Sequence, residues 1–239
     1  MMNFLRNRQR QAEWMDEPAV DPAELAHALG FIRKVNRRLG YTQVILHHLS
    51  RFSAGWKAGQ VVRLVDIGTG SADIPLAILD WAAARGFDVR VTGVDLSAGV
   101  IKQAALLAHH PRLTLVQADA TQLPFENGSF DYAITSMFLH HLSDADAERA
   151  LSEMGRVARR GVIASDLLRL RRSYAAIYLL TIFASPMIRH DARVSIRQSF
   201  SRSELRRLAD RAGLGFADDF VHLAHRFALA GEKTPTRSV

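Results

Sequence analysis

The sequence predicts an α/β protein built on a parallel sheet with helices on both faces, and three observations lead there. Between residues 61 and 166 short β-rich runs alternate with helical segments: VVRLVD, then 73–84, VRVTGVD, 98–108, LTLVQAD, FDYAITS, 145–157 and GVIASD. Strands joined through helices pair in parallel, because each crossover carries the chain back to the same end of the sheet. Ahead of this region apolar residues recur at helical spacing from Glu24 to Phe52, and behind it a helix-capping pattern leads into an alternating run.

Taken in order, the opening MMNFLRNRQRQ carries Arg6, Arg8 and Arg10 with no apolar run after them, so a secretory leader is not expected. DEPAV (16–20) reads as a loop, and Asp21 before Pro22 as an N-cap and first helical turn. Leu25, Leu29, Ile32, Val35 and Leu39, then Val44, Leu46, Leu49 and Phe52, give two helices with a break at Gly40. Five parallel strands follow. Between the fifth strand and the last helix lies AAIYLLTIFASPMI (175–188), apolar almost all round and flanked by Arg169, Arg171 and Arg172 on one side and Arg189 and His190 on the other. It falls short of the roughly 20 residues that span a bilayer, which leaves a buried helix, a lid over an apolar pocket, or an interfacial anchor. Ser201-Arg-Ser203-Glu-Leu opens a helix running to Gly213, two strands ending in HRFALAG (225–231) can close the sheet, and GEKTPTRSV reads as a frayed end. The chain thus divides into an N-terminal helical cap (1–58) and a core domain (59–239) with a lid-like insertion (167–200).

The 239 residues suffice for a full hydrophobic core. A content of 48% hydrophobic and 23% charged residues, with a mean hydropathy of -0.02, argues against a polytopic membrane protein. The absence of cysteine excludes disulfides, thiolate metal sites and cysteine nucleophiles, and suits a cytoplasmic setting. A net charge of +7 suits nucleic acid or an anionic membrane surface, but equally a soluble enzyme, and decides nothing unless the arginines cluster.

The stretch VVRLVDIGTGSADIP (61–75) is the most informative. A dinucleotide loop needs G-x-G-x-x-G, yet Asp73 stands where the third glycine belongs, and Asp66 ends the strand. A pyrophosphate would meet two carboxylates where it wants backbone N–H groups alone. A cationic head group is the better fit, which points to a nucleoside carrying an ammonium and a sulfonium, S-adenosylmethionine.

Asp66-Ile-Gly68-Thr-Gly70-Ser-Ala72 resembles the first motif of class I S-adenosylmethionine-dependent methyltransferases (D-x-G-x-G-x-G), departing from it at Ala72. The resemblance implies a Rossmann-like sheet of seven strands, mostly parallel with the last reversed. It also implies a cofactor site made by Asp66, Gly68, Thr69 and Gly70, by Asp95 and Leu96 after the second strand, by Asp119 and Ala120 after the third, and by Ser136 after the fourth. Asp95 would take the ribose hydroxyls, Asp119 the adenine amino group and the Ala120 N–H a ring nitrogen.

The methyl acceptor belongs above the C-terminal ends of the fourth and fifth strands. Thr135-Ser136-Met137-Phe138 lacks the Asn/Asp-Pro-Pro-aromatic motif of exocyclic-amine methylation, so nucleic acid is not expected. The chain resembles most the quinone-biosynthesis and type 11 small-molecule methyltransferases, with RHDARVSIRQSF (189–200) similar to O-methyltransferases of phenolic or polyketide compounds. The expected reaction is O-methylation of an aromatic or polyketide-like hydroxyl, with C-methylation of a quinone precursor, or cofactor binding by a nonenzymatic membrane-peripheral protein, as alternatives. Candidate bases are His140, His141, His190 and Asp166, and candidate acceptor contacts are Met137, Arg189, Asp191 and Arg193. The tandem histidine serves loop packing equally well, the Arg189-His190-Asp191 cluster a surface salt bridge, and Asp166 a helix cap. Asp166 has no neighbouring Asp or Asn to complete a catechol-type metal site, so no metal is expected. The 175–188 segment suits peripheral membrane contact or pairing with a second subunit as well as a lid.

Overall fold

The computed structural model describes residues 5, 7–17, 19–222 and 226–234, so Arg6, His225 and the end of GEKTPTRSV lie outside it. Two helices, α1 (Pro22–Arg38) and α2 (Tyr41–Phe52), precede the sheet. The Asp21 side chain accepts from the Ala23 and Glu24 N–H groups with Pro22 in the first turn, and Gly40 separates the helices at φ 79°. That left-handed turn suits glycine, which has no Cβ to clash.

The strands β1 (Val61–Ile67), β2 (Asp88–Asp95), β3 (Leu113–Gln117), β4 (Phe130–Ser136), β5 (Ala158–Leu167), β6 (Asp218–His222) and β7 (Arg226–Glu232) form one seven-stranded sheet in the order β3-β2-β1-β4-β5-β7-β6. β1 to β5 pair in parallel, and β7 runs antiparallel to both β5 and β6, so the last strand is the reversed one. The crossovers are α3 (Asp73–Ala83), α4 (Ala98–Leu107) and α5 (Asp144–Val157), and α8 (Arg202–Arg211) precedes β6.

Both faces of the sheet are covered. Leu64, Tyr132 and Ile134 pack with Ile45 and Leu49 of α2 and Ile78 of α3. Their neighbours Val65 and Ala133 point the other way, against Leu151 and Met154 of α5 and Leu205 and Leu208 of α8. Side-chain alternation with period two makes this division, and burying each such Leu or Ile is worth about 1.5–3 kcal/mol. A one-residue slip would exchange the two sets, which fixes the register.

Two expectations change. The apolar run 175–188 is not one helix: α6 (Arg171–Leu180) ends in a turn, and α7 (Pro186–Gln198) starts afresh with Ser185 accepting from the Ile188 N–H and Pro186 in its first turn. Proline cannot continue a helix but starts one readily, and that breaks the run. The tail is not frayed from Gly231: β7 runs through Glu232, and the Lys233 ammonium donates to the Gly155 and Ala158 carbonyls at 2.6 and 2.7 Å. Among the described residues no helix is long and apolar enough to cross a membrane.

Candidate active site

A cavity of about 750 Å³ opens above the C-terminal ends of β1, β2 and β4, where a parallel sheet whose strand order reverses leaves a crevice. α1 and α7 wall it with Phe31, Ile32, Val35, Ile188 and Ile196, and residues 13–16 of the N-terminal segment close one side. The lining is largely apolar with carboxylates and histidines gathered at the strand ends.

The glycine loop follows β1 directly. Gly68, Gly70 and also Ala72 have positive φ (71°, 52° and 55°), so the position where the motif departs from glycine is left-handed and alanine sits there under strain, fully buried. Phe138 lies against Gly68 so closely that a Cβ there would come within 2.4 Å of its ring. Asp66 is buried and accepts from the Thr69 hydroxyl at 2.8 Å. Asp73 accepts from Ser71 at 3.0 Å and from the Asn36 amide of α1 at 3.1 Å. Asp95 accepts from the Gly70 N–H with one oxygen and the Ser97 N–H with the other, both at 3.1 Å.

Burial raises the Asp66 carboxyl to about 7, with Asp73 and Asp95 adding to the effect and the Thr69 hydroxyl opposing it. Burial raises Asp95 as well. Two acceptors on the cavity wall, Asn36 Oδ1 and Ser136 Oγ, are buried without a hydrogen-bond partner among the described residues. A site with crowded carboxylates and unpaired acceptors fits a ligand that brings cationic N–H donors and a sulfonium, and is hostile to a phosphate.

Next to this loop stand the histidines. After β4 the chain turns at Met137 (φ 58°), whose N–H donates to Ser165 O, into a 3-10 turn over 139–141. His140 is buried; its Nδ1 lies 2.7 Å from Asp166 Oδ1, and its backbone N–H donates to Asp166 Oδ2 at 3.0 Å. Its Nε2 is 3.7 Å from Glu13 Oε1. His141 Nδ1 lies 2.8 Å from Asp16 Oδ2. Burial works against charge on His141, but Glu13, Asp16 and Asp166 outweigh it and raise its pKa to about 10. His141 is therefore a cation at neutral pH and has no lone pair to accept a proton. Ring nitrogens of both histidines and a Glu13 oxygen lie within 4.8 Å of one another, a set of ligand types that would also suit a divalent cation and that the sequence did not suggest.

The remaining sequence candidates fall in different places. Asp66, Gly68, Thr69, Gly70, Asp95, Leu96, Asp119, Ala120, Ser136 and Met137 all line the cavity, with Leu96 exposed at its rim and Asp119 folded onto its own turn through Thr121. Asp191 reaches the cavity wall, but its carboxylate is taken by the Trp14 and Met15 N–H groups at 2.8 and 3.1 Å. His190 stacks on Trp14 with ring centroids 4.2 Å apart and is not among the lining residues, so it is not placed to act as a base. Arg189 and Arg193 are absent from the lining too; Arg193 lies over the Tyr178 ring at 4.2 Å. α7 presents successive residues around its circumference, and these three face away from the cavity.

Several contributors escaped the sequence. Glu13 is buried, accepting from the Ser195 hydroxyl at 2.7 Å and the Gln198 amide at 2.8 Å. Arg8, part of what reads as a plain basic lead, donates to the His140 and Leu142 carbonyls, pairs with Asp144 and covers the Phe200 ring. Asn36 and Phe138 sit in ordinary core positions of the pattern. No spacing rule reaches them, because they meet their partners across more than a hundred residues or by tertiary packing alone.

A family profile described as a methyltransferase domain matches residues 64–161. The chain is 29% identical over 189 residues to a ubiquinone/menaquinone biosynthesis C-methyltransferase of Nitrosospira multiformis, covering 74% of this chain and 75% of that one. It is 32% identical over 115 residues to a demethylmenaquinone methyltransferase of Roseiflexus castenholzii, a match spanning 45% of this chain and under half of that protein's length, 46%. Among solved structures, a SAM-dependent methyltransferase from Aquifex aeolicus superposes with a TM-score of 0.58 at 16% identity, over 89% of this chain and 98% of the other. Human N-acetylserotonin methyltransferase in complex with SAM does so with a TM-score of 0.63 at 14% identity, over 89% and 56%. Sheet order, glycine loop and carboxylate-lined cavity agree with the matched domain: the chain carries a methyltransferase domain over residues 64–161, in the fold of S-adenosylmethionine-dependent methyltransferases.

Proposed function

We propose that the protein transfers a methyl group to a hydroxylated aromatic ring of the quinone-precursor type, with His140 as the base that ionises the ring hydroxyl. The observation that carries this reading is the buried His140–Asp166 pair opening onto an apolar cavity beside the glycine loop. Asp66 and the backbone of Gly68 to Gly70 would hold the amino-acid end of the cofactor, Asp95 the ribose hydroxyls, and Asp119 with Ala120 the adenine. When bound, the sulfonium supplies an electrophilic methyl group that needs an electron-rich acceptor in line with it.

The protein supplies that acceptor by position and by proton removal. Asp166 accepts from His140 Nδ1–H, which leaves Nε2 with its lone pair toward the cavity, and a ring hydroxyl placed there loses its proton to Nε2. Asp166 stabilises the imidazolium so formed, and Glu13 stands close enough to share that charge. The phenolate can react through oxygen or through the ring carbon beside it; at carbon, the S–CH3 bond breaks as the new C–C bond forms, and the methylated carbon then gives up its hydrogen as a proton to water, restoring the aromatic ring, while the oxygen retakes the proton from His140. Transfer to carbon is favoured over the oxygen transfer expected from the sequence because the curated relatives are named as quinone C-methyltransferases. The apolar wall of Phe31, Ile32, Val35 and Ile188 suits an acceptor carrying a hydrocarbon tail.

The test is turnover with a panel of alkylated phenols and hydroquinones, read as S-adenosylhomocysteine release, with the product's methyl position assigned by NMR. A carbon-bound methyl supports the reading, an oxygen-bound methyl corrects the acceptor atom to a hydroxyl, and silence across phenols with structured RNA methylated would overturn it.

A further inference from the structure

The end of α6 and the turn after it present Tyr178, Leu179, Leu180, Ile182 and Phe183 outward, with Leu179 66%, Leu180 61% and Phe183 100% exposed. Large apolar side chains close together in the chain and largely in water mark a contact surface. The turn that carries them is built: Thr181 is buried with its hydroxyl on Ile177 O at 2.7 Å, the Ala184 N–H donates to Thr181 O, and Ser185 caps α7.

Two arginines lie beside this tip: Arg189 and Arg193 are in the first half of α7, Arg193 over the exposed ring of Tyr178. Asp191, the sole carboxylate between residues 169 and 197, turns inward to the N-terminal segment and does not offset them. Trp14, partly exposed beside His190 on the same side of α7, adds an aromatic ring of the kind that settles at membrane interfaces. A protein partner would bring carboxylates and a shaped surface; exposed apolar side chains with arginines beside them match a soft apolar layer beneath anionic head groups.

We propose that the α6–α7 tip docks the protein on an anionic phospholipid surface, inserting Leu179, Leu180 and Phe183 among the acyl chains with Arg189 and Arg193 at head-group level. The protein rests on the bilayer without crossing it, as no described helix is long enough to do so. The same two helices wall the cavity with Ile177, Ile188 and Ile196, so the docked face is the one beside the acceptor site. This goes beyond methyl transfer and does not depend on the acceptor's identity.

The experiment is flotation of the full chain with vesicles of phosphatidylcholine alone or mixed with phosphatidylglycerol, at low and high salt, for wild type and the double variant Leu179→Ser/Phe183→Ser. The bound fraction of wild type should rise with phosphatidylglycerol and fall with salt, and the variant should bind at least about tenfold less while keeping its Tm and its turnover on a water-soluble phenol. Light scattering on both proteins reads self-association. No wild-type flotation, flotation unaltered by the substitutions, or loss of dimers in the variant without vesicle binding by wild type would each overturn the proposal, the last in favour of a second copy of the chain. Flotation is read without turnover, so its failure is separate from any failure of the methyl-transfer reading.

Discussion

Asp166 holds His140 at two points, one carboxylate oxygen 2.7 Å from the ring Nδ1 and the other 3.0 Å from the backbone N–H. Asp166 lies at the end of β5 and His140 in the turn that follows the adjacent parallel strand β4, the two strands pairing Ser136 with Ser165. Strand pairing therefore sets both the ring's orientation and its tautomer before any ligand arrives.

Replacing this pair should affect chemistry more than cofactor binding. His140→Ala is expected to lower kcat by about 10² to 10⁴, and Asp166→Asn to lower it while leaving S-adenosylmethionine affinity within a few-fold, by calorimetry. His141→Gln should change kcat far less, because a group that is already cationic does not act as the base. Exhaustive EDTA treatment distinguishes the two uses of the Glu13–His140–His141 cluster: undiminished turnover is the outcome for proton transfer, and loss restored by a divalent cation is the outcome for a metal site.

Cofactor affinity should follow the ionisation of Asp66. Its folded-state pKa of about 7 lies above the ordinary carboxylate value, so the free site is half protonated near neutrality and fully anionic only above it. Binding of a cationic ligand should therefore strengthen as pH rises from 6 to 8, and Asp66→Asn should flatten that dependence while weakening binding at pH 8. The sign for stability is opposite. A carboxyl with a raised folded pKa costs stability once the pH passes its unfolded value, so Asp66→Asn should raise Tm at pH 8, and an unchanged or lower Tm would contradict the assigned burial cost.

Gly68 should tolerate no side chain. With φ at 71° and the Phe138 ring in the space a Cβ would fill, Gly68→Ala is expected to cost roughly 1–3 kcal/mol in unfolding experiments. Adding Phe138→Ala should recover the steric part and leave the backbone part. Full additivity of the two changes in a double-mutant cycle would show that the rings and loop are not in contact.

A second histidine group should limit stability in acid. His48 is buried with its Nε2 3.0 Å from His222 Nε2, and burial, helped by His222, His47 and Arg51, lowers its pKa to about 3. Burial lowers His222 as well. The unfolded chain takes up these protons near the ordinary histidine value while the folded chain does not, so stability present above it is lost as pH falls through 6 and below. Tm should drop between pH 7 and pH 5, and His48→Phe should reduce that drop.

The order of elements, the boundary at Gly40, the strand-ending aspartates and the cofactor loop were all legible in the sequence. Each rests on neighbours in the chain: alternation and helical periodicity, a cap such as Asp21 beside Pro22, a glycine pair directly after a strand. The same locality explains the errors. The apolar run 175–188 reads as one helix by composition, but Pro186 and the Ser185 cap divide it, and which side of α7 faces the cavity depends on how that helix packs. His190 and Arg193 thus leave the site while Ile188 and Ile196 enter it.

Only the tertiary structure gives His140 and His141 different surroundings. Adjacent in sequence and alike in chemistry, they differ because His140 is buried on Asp166 from the next strand, with Glu13 at 3.7 Å, while His141 pairs with Asp16, carried in by a segment more than a hundred residues away. Charge on an imidazole is set by the carboxylates within a few ångströms, and those distances are a property of packing. The sequence by itself determined the sheet and what binds at its glycine loop; the folded chain determined which carboxylates meet each histidine and which face of the protein is left apolar.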